Sequence, residues 1–329
     1  MVKIKKALLR LTAICMVLMS FAQVSLAAGR QLVPVGDVVG ISLETEGVLV
    51  VGFPNEGTSA AKAAGIKAGD VIVQIGEMPI TCGLDVGNAE IGTQPIEITV
   101  VRDGEKKQIT VTPQIGESGV PELGLWMRDS LSGIGTVTFY DPETKLFGAL
   151  GHGVNDMDTG VIMPVGDGVV AEARVTEVVK GRCGAPGQLT GEFDYGKIVG
   201  YVSENTLFGI FGTVTDTSAL ECVEMIETAD KEDVHTGEAV IISCVKGEGP
   251  REFDIEIIRT DMNNKEGHNF VVRITDEELL EITGGIVQGM SGSPIIQDGK
   301  LIGAVTHVLV NDPTRGYGIF IENMLDAAG

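Results

Sequence analysis

The sequence contains few aromatic residues, few histidines and little positive charge, and each shortage excludes a class of function. Its 329 residues include one Trp, four Tyr, ten Phe and four His, against 45 Gly. Abundant glycine with few aromatics is typical of short strands joined by many turns. Lys and Arg number 24 against 46 Asp and Glu, which gives a net charge of −22 at pH 7. Such a chain repels nucleic acid and anionic lipid, so we expect neither as a partner.

Cysteine patterns typical of metal sites are absent. The five cysteines form no CxxC pair and have no neighbouring histidine at ligand spacing, so we expect no metal and no cofactor. Cys15 lies in an apolar N-terminal run, whereas the other four are widely spaced. In an exported chain these four allow one or two disulfides, with buried free thiols as the alternative. They are Cys82, Cys183, Cys222 and Cys244.

Long hydrophobic runs are confined to the N-terminus. Basic residues at positions 3, 5, 6 and 10 precede an apolar run over residues 11–22, and Ser25 and Ala27 follow as small residues before Ala28. This is the pattern of a signal peptide. We predict a signal peptide or an N-terminal anchor over residues 1–28, and both place the remainder outside the cytoplasm. No later run reaches the roughly 20 apolar residues that a membrane helix needs.

A first domain is predicted over residues 29–115. Strand-like runs surround an Ala-rich helix that ends at Gly65, and residues 64–72 (AGIKAGDVI) resemble the bacterial PDZ domain. The resemblance implies that an extended peptide adds to a sheet edge while a glycine-containing loop holds its carboxylate. A PDZ domain that only packs against its neighbour is the alternative. The loop is assigned to Gly40, Ile41, Ser42 and Leu43.

A second domain is predicted over residues 116–329. Short apolar runs such as residues 135–140 and 301–305 alternate with Gly, Asp, Asn and Pro turns. This spacing favours an antiparallel barrel or sandwich.

The strongest chemical signal is the segment 288–296 (QGMSGSPII). It resembles the nucleophile segment of chymotrypsin-like serine proteases, in which a glycine-flanked serine projects from a tight turn. We predict Ser291 as the nucleophile, with Ser293 as the second candidate. The backbone N–H groups of Gly289 and Ser291 are the expected oxyanion hole, because glycine permits the backbone angles of such a turn.

The strand after this segment returns beside it in the protease fold. Here residues 301–305 lead into Thr306 and His307, which we expect to line the substrate cleft. A simple glycine-rich turn is the alternative interpretation of the serine segment, and the proline and the returning strand weigh against it.

A serine nucleophile needs a general base, and His152 is the predicted one. It follows a strand-like run, well before the serine, as the base does in this fold. His235 lies in an acidic surface stretch and His268 in a polar turn. The residue types leave the acid open among Asp156, Asp158, Asp254, Asp261 and Asp276.

Several of these motifs together look like the SpoIVB peptidase family of endospore-forming bacteria. They are His152 between two glycines, the serine segment, and residues 303–308 (GAVTHV), 311–313 (NDP) and 316–318 (GYG). The order of export signal, PDZ domain and peptidase also fits. The resemblance implies a PDZ domain followed by a chymotrypsin-like antiparallel double β-barrel, and a triad in which Asp276 joins His152 and Ser291.

The resemblance also implies a biological role. Such peptidases are exported into the space between the forespore and mother-cell membranes. There they cleave themselves and the extracytoplasmic part of a regulatory membrane protein, which activates an intramembrane protease, and the PDZ domain takes part in recognition. Two alternatives stay open: an inactive scaffold that binds membrane partners, and a general quality-control protease. In the second class the PDZ domain normally follows the protease, whereas here it precedes it.

Overall fold

The computed structural model describes residues 29–54, 59–217 and 223–329. The predicted signal or anchor over residues 1–28 lies outside the described residues, as does Cys222. Strands dominate the described chain and build two barrels and a smaller domain.

Twenty strands are numbered here in chain order. The first ten are β1 (Gln31–Pro34), β2 (Val38–Gly52), β3 (Val71–Ile75), β4 (Met78–Pro79), β5 (Ile96–Arg102), β6 (Glu105–Val111), β7 (Gln114–Ile115), β8 (Pro121–Glu122), β9 (Trp126–Tyr140) and β10 (Leu146–Ala149). The next ten are β11 (Asp167–Val179), β12 (Gln188–Thr206), β13 (Gly209–Val214), β14 (Ile226–Glu227), β15 (Gly237–Ser243), β16 (Arg251–Thr260), β17 (Phe270–Ile274), β18 (Pro294–Gln297), β19 (Lys300–Val308) and β20 (Arg315–Phe320). The helices are α1 (Ala60–Ala64), α2 (Gly83–Asn88), α3 (Glu277–Thr283) and α4 (Ile321–Ala327), with a 3₁₀ turn at Lys231–Asp233.

The first barrel is a ring of six strands in the order β9-β10-β13-β12-β11-β2. Pairing of β2 with β9 closes the ring. Its interior is filled by buried apolar side chains, among them Ile41, Phe147, Val170 and Ile210.

The second barrel is also closed, with the strand order β15-β16-β17-β20-β19-β18. Strand β16 illustrates why these residues form a barrel wall. Phe253, Ile255 and Ile257 are buried, while the residues between them face outward or are only partly covered. This period of two places one face of the strand in the core and the other in water. The two barrels confirm the predicted mainly β, chymotrypsin-like fold class.

The PDZ domain consists of the outer half of β2 with β3, β5, β6 and helices α1 and α2. Its separate core includes Val48, Ile72, Ile98 and Val111. Helix α1 begins after Ser59, whose hydroxyl accepts a hydrogen bond from the Lys62 N–H at 3.0 Å, and ends at Gly65 with φ +101°. A serine cap and a left-handed glycine are the local signals that end a helix this short.

The domain boundary differs from the predicted division between residues 115 and 116. The inner half of β2, from Val38 to Glu44, pairs with β9 and β11 of the first barrel. Beyond a bulge, Val48 and Leu49 pair with β3 of the PDZ domain. The PDZ domain is therefore inserted between β2 and β9, and the N-terminal strand residues belong to the barrel.

The two barrels meet through an apolar cluster. Phe139 and Phe211 of the first barrel pack with Leu301 and Ile319 of the second, and helix α4 covers the cluster through Met324. This contact fixes the barrels against each other along the line where the loops before β11 and β18 approach.

Three cysteines lie within the described residues, namely Cys82, Cys183 and Cys244, and all three are free thiols. Over the same residues, no helix has the length and hydrophobicity needed to cross a membrane.

A glycine in the second barrel provides a test of the packing. A Cβ added to Gly303 would lie 1.8 Å from the carbonyl oxygen of Ile319, whereas one added to Gly133 in β9 would meet nothing within 4 Å. We expect Gly303→Ala to destabilise the protein by about 1–3 kcal/mol, because the strands must move apart. The matched Gly133→Ala should leave stability within about 0.5 kcal/mol. Thermal unfolding midpoints check both, and equal midpoints would contradict the packing described here.

Candidate active site

Ser291 lies in a sharp turn, residues 288–293, that precedes β18. Gly289 and Gly292 on either side of it have φ of +101° and +97°. Only glycine adopts such angles readily, which explains why the serine is flanked by glycines. Ser291 is half-buried, whereas the second candidate, Ser293, is fully buried and donates a hydrogen bond to the Ser243 hydroxyl at 3.0 Å. The turn therefore presents Ser291 and not Ser293.

This serine turn is attached to the first barrel by three hydrogen bonds from strand β9. The Thr136 N–H donates to the Ser291 carbonyl at 3.1 Å. The Thr136 hydroxyl donates to the Gly289 carbonyl at 2.7 Å, and the Thr138 hydroxyl donates to the Gly292 carbonyl at 2.8 Å. Both threonines are fully buried, so these bonds are shielded from water.

The backbone N–H groups of Gly289 and Ser291 are free to bind an oxyanion. Within the described part of the chain neither donates a hydrogen bond, although their neighbours Met290 and Gly292 do. Two backbone N–H groups that lie beside a nucleophile and have no other acceptor can donate hydrogen bonds to the oxygen that becomes negative during the reaction. The oxyanion-hole role of the two residues stays a prediction.

The Ser291 hydroxyl donates a hydrogen bond to the Thr306 carbonyl at 2.6 Å. Within the described residues it shares no hydrogen bond with His152. A hydrogen bond between Ser291 and His152 would require the serine side chain to rotate away from the Thr306 carbonyl.

His152 lies in the segment between β10 and β11, residues 150–166, which we call the His152 loop. The loop starts against the serine turn, since a Cβ added to Gly292 would lie 2.6 Å from the Leu150 nitrogen. The Nδ1 atom of His152 is 2.9 Å from the Gly153 carbonyl. A carbonyl only accepts, so Nδ1 carries the proton and Nε2 keeps its lone pair.

Burial lowers the pKa of His152 below its ordinary value, and the hydrogen bond to Gly153 offsets part of that effect. The imidazole is therefore neutral at pH 7. A neutral imidazole with a free Nε2 has the protonation state that a general base needs.

His307, one of the two predicted cleft residues, lies in a row of rings beside His152 that also includes His268 and Tyr317. The His307 ring lies 4.6 Å from the His152 ring and 5.4 Å from that of His268, which stacks on Tyr317 at 4.2 Å. Desolvation and the neighbouring His152 and His268 lower the pKa of His307 to about 4. Thr306, 2% exposed, has a buried hydroxyl that finds no hydrogen-bond partner among the residues that the structure describes. The structure thus brings Ser291, His152, Thr306 and His307 into one region.

Asp276 lies elsewhere. Its carboxylate accepts a hydrogen bond from the Leu279 N–H at 2.7 Å and so caps the N-terminus of α3. The histidines lie near the Phe270 end of β17, whereas Asp276 follows its Ile274 end, about 13 Å away along the strand. No carboxylate in the described chain makes a hydrogen bond with His152. The structure therefore does not bring Asp276 to the imidazole, and the Gly153 carbonyl occupies Nδ1 instead.

Asn205, which the sequence analysis missed, supports the His152 loop. Its side-chain amide accepts from the Val154 N–H at 2.9 Å and donates to the carbonyls of Val154 and Met163 at 2.8 and 2.9 Å. An asparagine near the end of a long strand carries no motif, so only the fold reveals this role.

The predicted carboxylate-binding loop of the PDZ domain is wrong in its placement. Gly40, Ile41, Ser42 and Leu43 lie in the middle of β2, with β9 hydrogen-bonded on one side and β11 on the other. A peptide adds to a free sheet edge, and these four residues have none.

Within the described residues, no group of three or more His, Cys, Asp and Glu side chains has an arrangement that would hold a metal ion. The His152 and His307 rings are tilted by 36° to each other, and the His307 and His268 rings meet edge to face at 88°.

Solved structures of one PDZ domain and of two proteases are similar in part. The PDZ domain of the SdrC-like protein Lmo2051 from Listeria monocytogenes is 17% identical, with a TM-score of 0.22, and the match covers 25% of this chain and 87% of that one. The inactive form of the Rv3671c protease is 15% identical, with a TM-score of 0.35 and coverage of 60% and 85%. The HtrA-type protease AlgW with a decapeptide is 12% identical, with a TM-score of 0.36 and coverage of 90% and 64%.

Among curated proteins no match is found. The family model described as SpoIVB peptidase S55 matches residues 120–325, which is more than half of the chain and includes both His152 and Ser291. This match agrees with the motifs of the sequence and with the two barrels. The chain therefore belongs to the SpoIVB peptidase S55 family and is a serine peptidase.

Proposed function

We propose that the protein is an endopeptidase in which Ser291 is the nucleophile and His152 the general base. The observation that carries this proposal is the serine turn: a half-buried Ser291 hydroxyl, two free amides, and the His152 loop in contact with the same turn.

The mechanism is acyl transfer. Nε2 of His152 takes the Ser291 proton as the oxygen attacks a peptide carbonyl, and the amides of Gly289 and Ser291 stabilise the oxyanion. The imidazolium then protonates the leaving amine, which breaks the peptide bond and leaves an acyl-enzyme. Water, deprotonated by His152, releases the acyl group and restores the serine. The Gly153 carbonyl holds the imidazole in the required tautomer throughout.

The finer role is proposed from the family resemblance. The protein is exported and acts between the forespore and mother-cell membranes. Residues 1–28 either anchor it to a membrane or are removed as a signal peptide. It cleaves itself and the extracytoplasmic region of a regulatory membrane protein, and so activates an intramembrane protease. A peptide ligand of the PDZ domain belongs to the same proposal, but it needs a sheet edge other than residues 40–43, whose two edges are paired.

Replacement of the nucleophile is the first test. We expect Ser291→Ala to lower peptide cleavage and self-processing by several powers of ten, since a serine peptidase without its nucleophile loses almost all of its catalysis. Thermal unfolding should be unchanged. Fluorophosphonate labelling of the wild-type protein, with Ser293→Ala as the matched control that still labels, provides the measurement. Equal labelling of Ser291→Ala and wild type would reject the assignment, and unlabelled wild type would favour an inactive scaffold.

The pH dependence follows from the lowered pKa of His152. The base acts only when neutral, and a lowered pKa keeps it neutral to a lower pH. We therefore expect the acid limb of kcat/KM to have its midpoint below 6.5, the ordinary value for histidine. The exposed His235, whose pKa is raised by its hydrogen bonds to Thr236 and Asp298, serves as control. His235→Asn should leave the profile unchanged, and a midpoint above 6.5 would contradict His152 as the base.

Asp276 offers a test that separates a helix cap from a catalytic acid. Asparagine caps a helix about as well as aspartate. We therefore expect Asp276→Asn to keep both activity and stability, and Asp276→Ala to cost about 1 kcal/mol of stability. An acid that orients the imidazole would behave differently, because its replacement by asparagine lowers turnover about 10⁴-fold. Such a loss in Asp276→Asn, measured as kcat at unchanged unfolding temperature, would establish Asp276 as the third member of a triad.

A further inference from the structure

Asp156 is a fully buried carboxylate four residues after the proposed base, and the mechanism above does not use it. Its Oδ1 atom accepts hydrogen bonds from the Asp158 N–H at 3.1 Å and from the Thr159 N–H and hydroxyl, both at 2.8 Å. Its backbone closes the same turn, because its N–H donates to the Val161 carbonyl at 2.9 Å. The carboxylate therefore organises the central turn of the His152 loop.

The charge of Asp156 is balanced by a single cation. Arg128 donates from Nη1 to the second oxygen of Asp156, and from Nη2 to Asp158 at 2.9 Å. Burial alone would raise the pKa of Asp156, but the hydrogen bonds from Thr159 and the charge of Arg128 lower it below its ordinary value. Removal of one partner from such a buried pair leaves an uncompensated charge, which a loop avoids by rearranging.

Arg128 stands on the part of β9 that pairs with the PDZ half of β2. Its direct partner in the register is Leu49. Leu49 is also in an apolar cluster with Val71 of the PDZ domain and Met163 of the His152 loop, and all three are buried. The loop is thus fixed on one side by an ion pair and an apolar contact at the PDZ domain, and on the other by Asn205 of the first barrel.

We infer that Asp156, held by Arg128, is a positioning residue for His152. The pair fixes the turn of the His152 loop, and the loop fixes the imidazole beside the serine turn. Since Arg128 is carried by a strand paired with the PDZ domain, the position of the base depends on that domain. The inference rests on the proposed roles of Ser291 and His152. It adds that the distance between their side chains depends on the Asp156–Arg128 ion pair.

The test measures how fast a fluorophosphonate labels Ser291 in the full-length protein as a function of pH. This rate reports activation of the serine by His152 without involving the binding of a protein substrate. We expect Arg128→Met and Asp156→Asn each to lower it at least about tenfold, because a displacement of about 1 Å is costly for catalysis. The acid limb of the profile should move up toward 6.5, since a released loop exposes the imidazole to water.

A matched control lies within the PDZ domain. Asp70 is also buried, at 1% exposed, and Arg102 binds it through two hydrogen bonds of 2.6 and 2.7 Å. Arg102→Met removes the same kind of ion pair, but within the described residues neither Asp70 nor Arg102 shares a hydrogen bond or ion pair with the His152 loop. We expect this variant to lose stability while its labelling rate and pH profile stay within about twofold of wild type. Arg128→Lys keeps the positive charge and should recover much of the rate that Arg128→Met loses.

The outcomes separate this inference from the proposed function. Wild-type protein that fails to label overturns the proposed function itself. Labelling of wild type and Arg128→Met at the same rate, or equal losses in Arg128→Met and Arg102→Met, overturns only the inference. If Arg128→Met does not fold, Asp156→Asn decides, because an unchanged rate and pH profile in that variant would reject a positioning role. A double variant no slower than either single variant supports action of the two residues as a pair.

Discussion

The attachment of the serine turn to strand β9 is the constraint on which the rest of the site depends. The proposed nucleophile belongs to the second barrel and the proposed base to the first, so the proposed site needs both barrels. Three hydrogen bonds from Thr136 and Thr138 fix the carbonyls of the serine turn against the first barrel. Because both threonines are fully buried, water does not compete for these bonds. The apolar cluster between the barrels keeps the two halves in this register.

Much of this arrangement could be predicted from local sequence. Glycines at 289 and 292 indicated a turn with left-handed backbone, and both have positive φ. Short apolar runs separated by turn residues indicated an antiparallel barrel or sandwich, and Gly65 marked the end of helix α1. These features depend on residues that are close together in the chain, so the local sequence is enough to predict them. The relation between Ser291 and His152 was predictable only because the fold family is recognisable.

The failures have a common physical cause, which is pairing between distant segments. Residues 40–43 carry the composition of a peptide-binding loop, but strands β9 and β11 occupy both of their edges. Asp276 has the spacing that the family resemblance implies for a catalytic acid, but it caps α3 and the length of β17 separates it from the histidines, so its catalytic role stays a prediction. Asn205 and Asp156 carry no motif, because Asn205 bonds backbone groups of a distant loop and the charge of Asp156 is paired with Arg128, 28 residues before it in the chain. No local pattern encodes which edge is free or which carboxylate is buried.

Strand β2 runs without a break from the first barrel into the PDZ domain. Most multidomain proteins connect their domains by flexible linkers, so that each domain can move independently and be exchanged. Here β2 is a strand of both the first barrel and the PDZ domain, and a rotation of the PDZ domain would strain the hydrogen bonds between the barrel strands. Deletion of the PDZ domain would also remove the N-terminal part of β9, which carries Arg128. A force applied to the PDZ domain would therefore be transmitted through β2 to the first barrel, because no flexible hinge lies between them to absorb it.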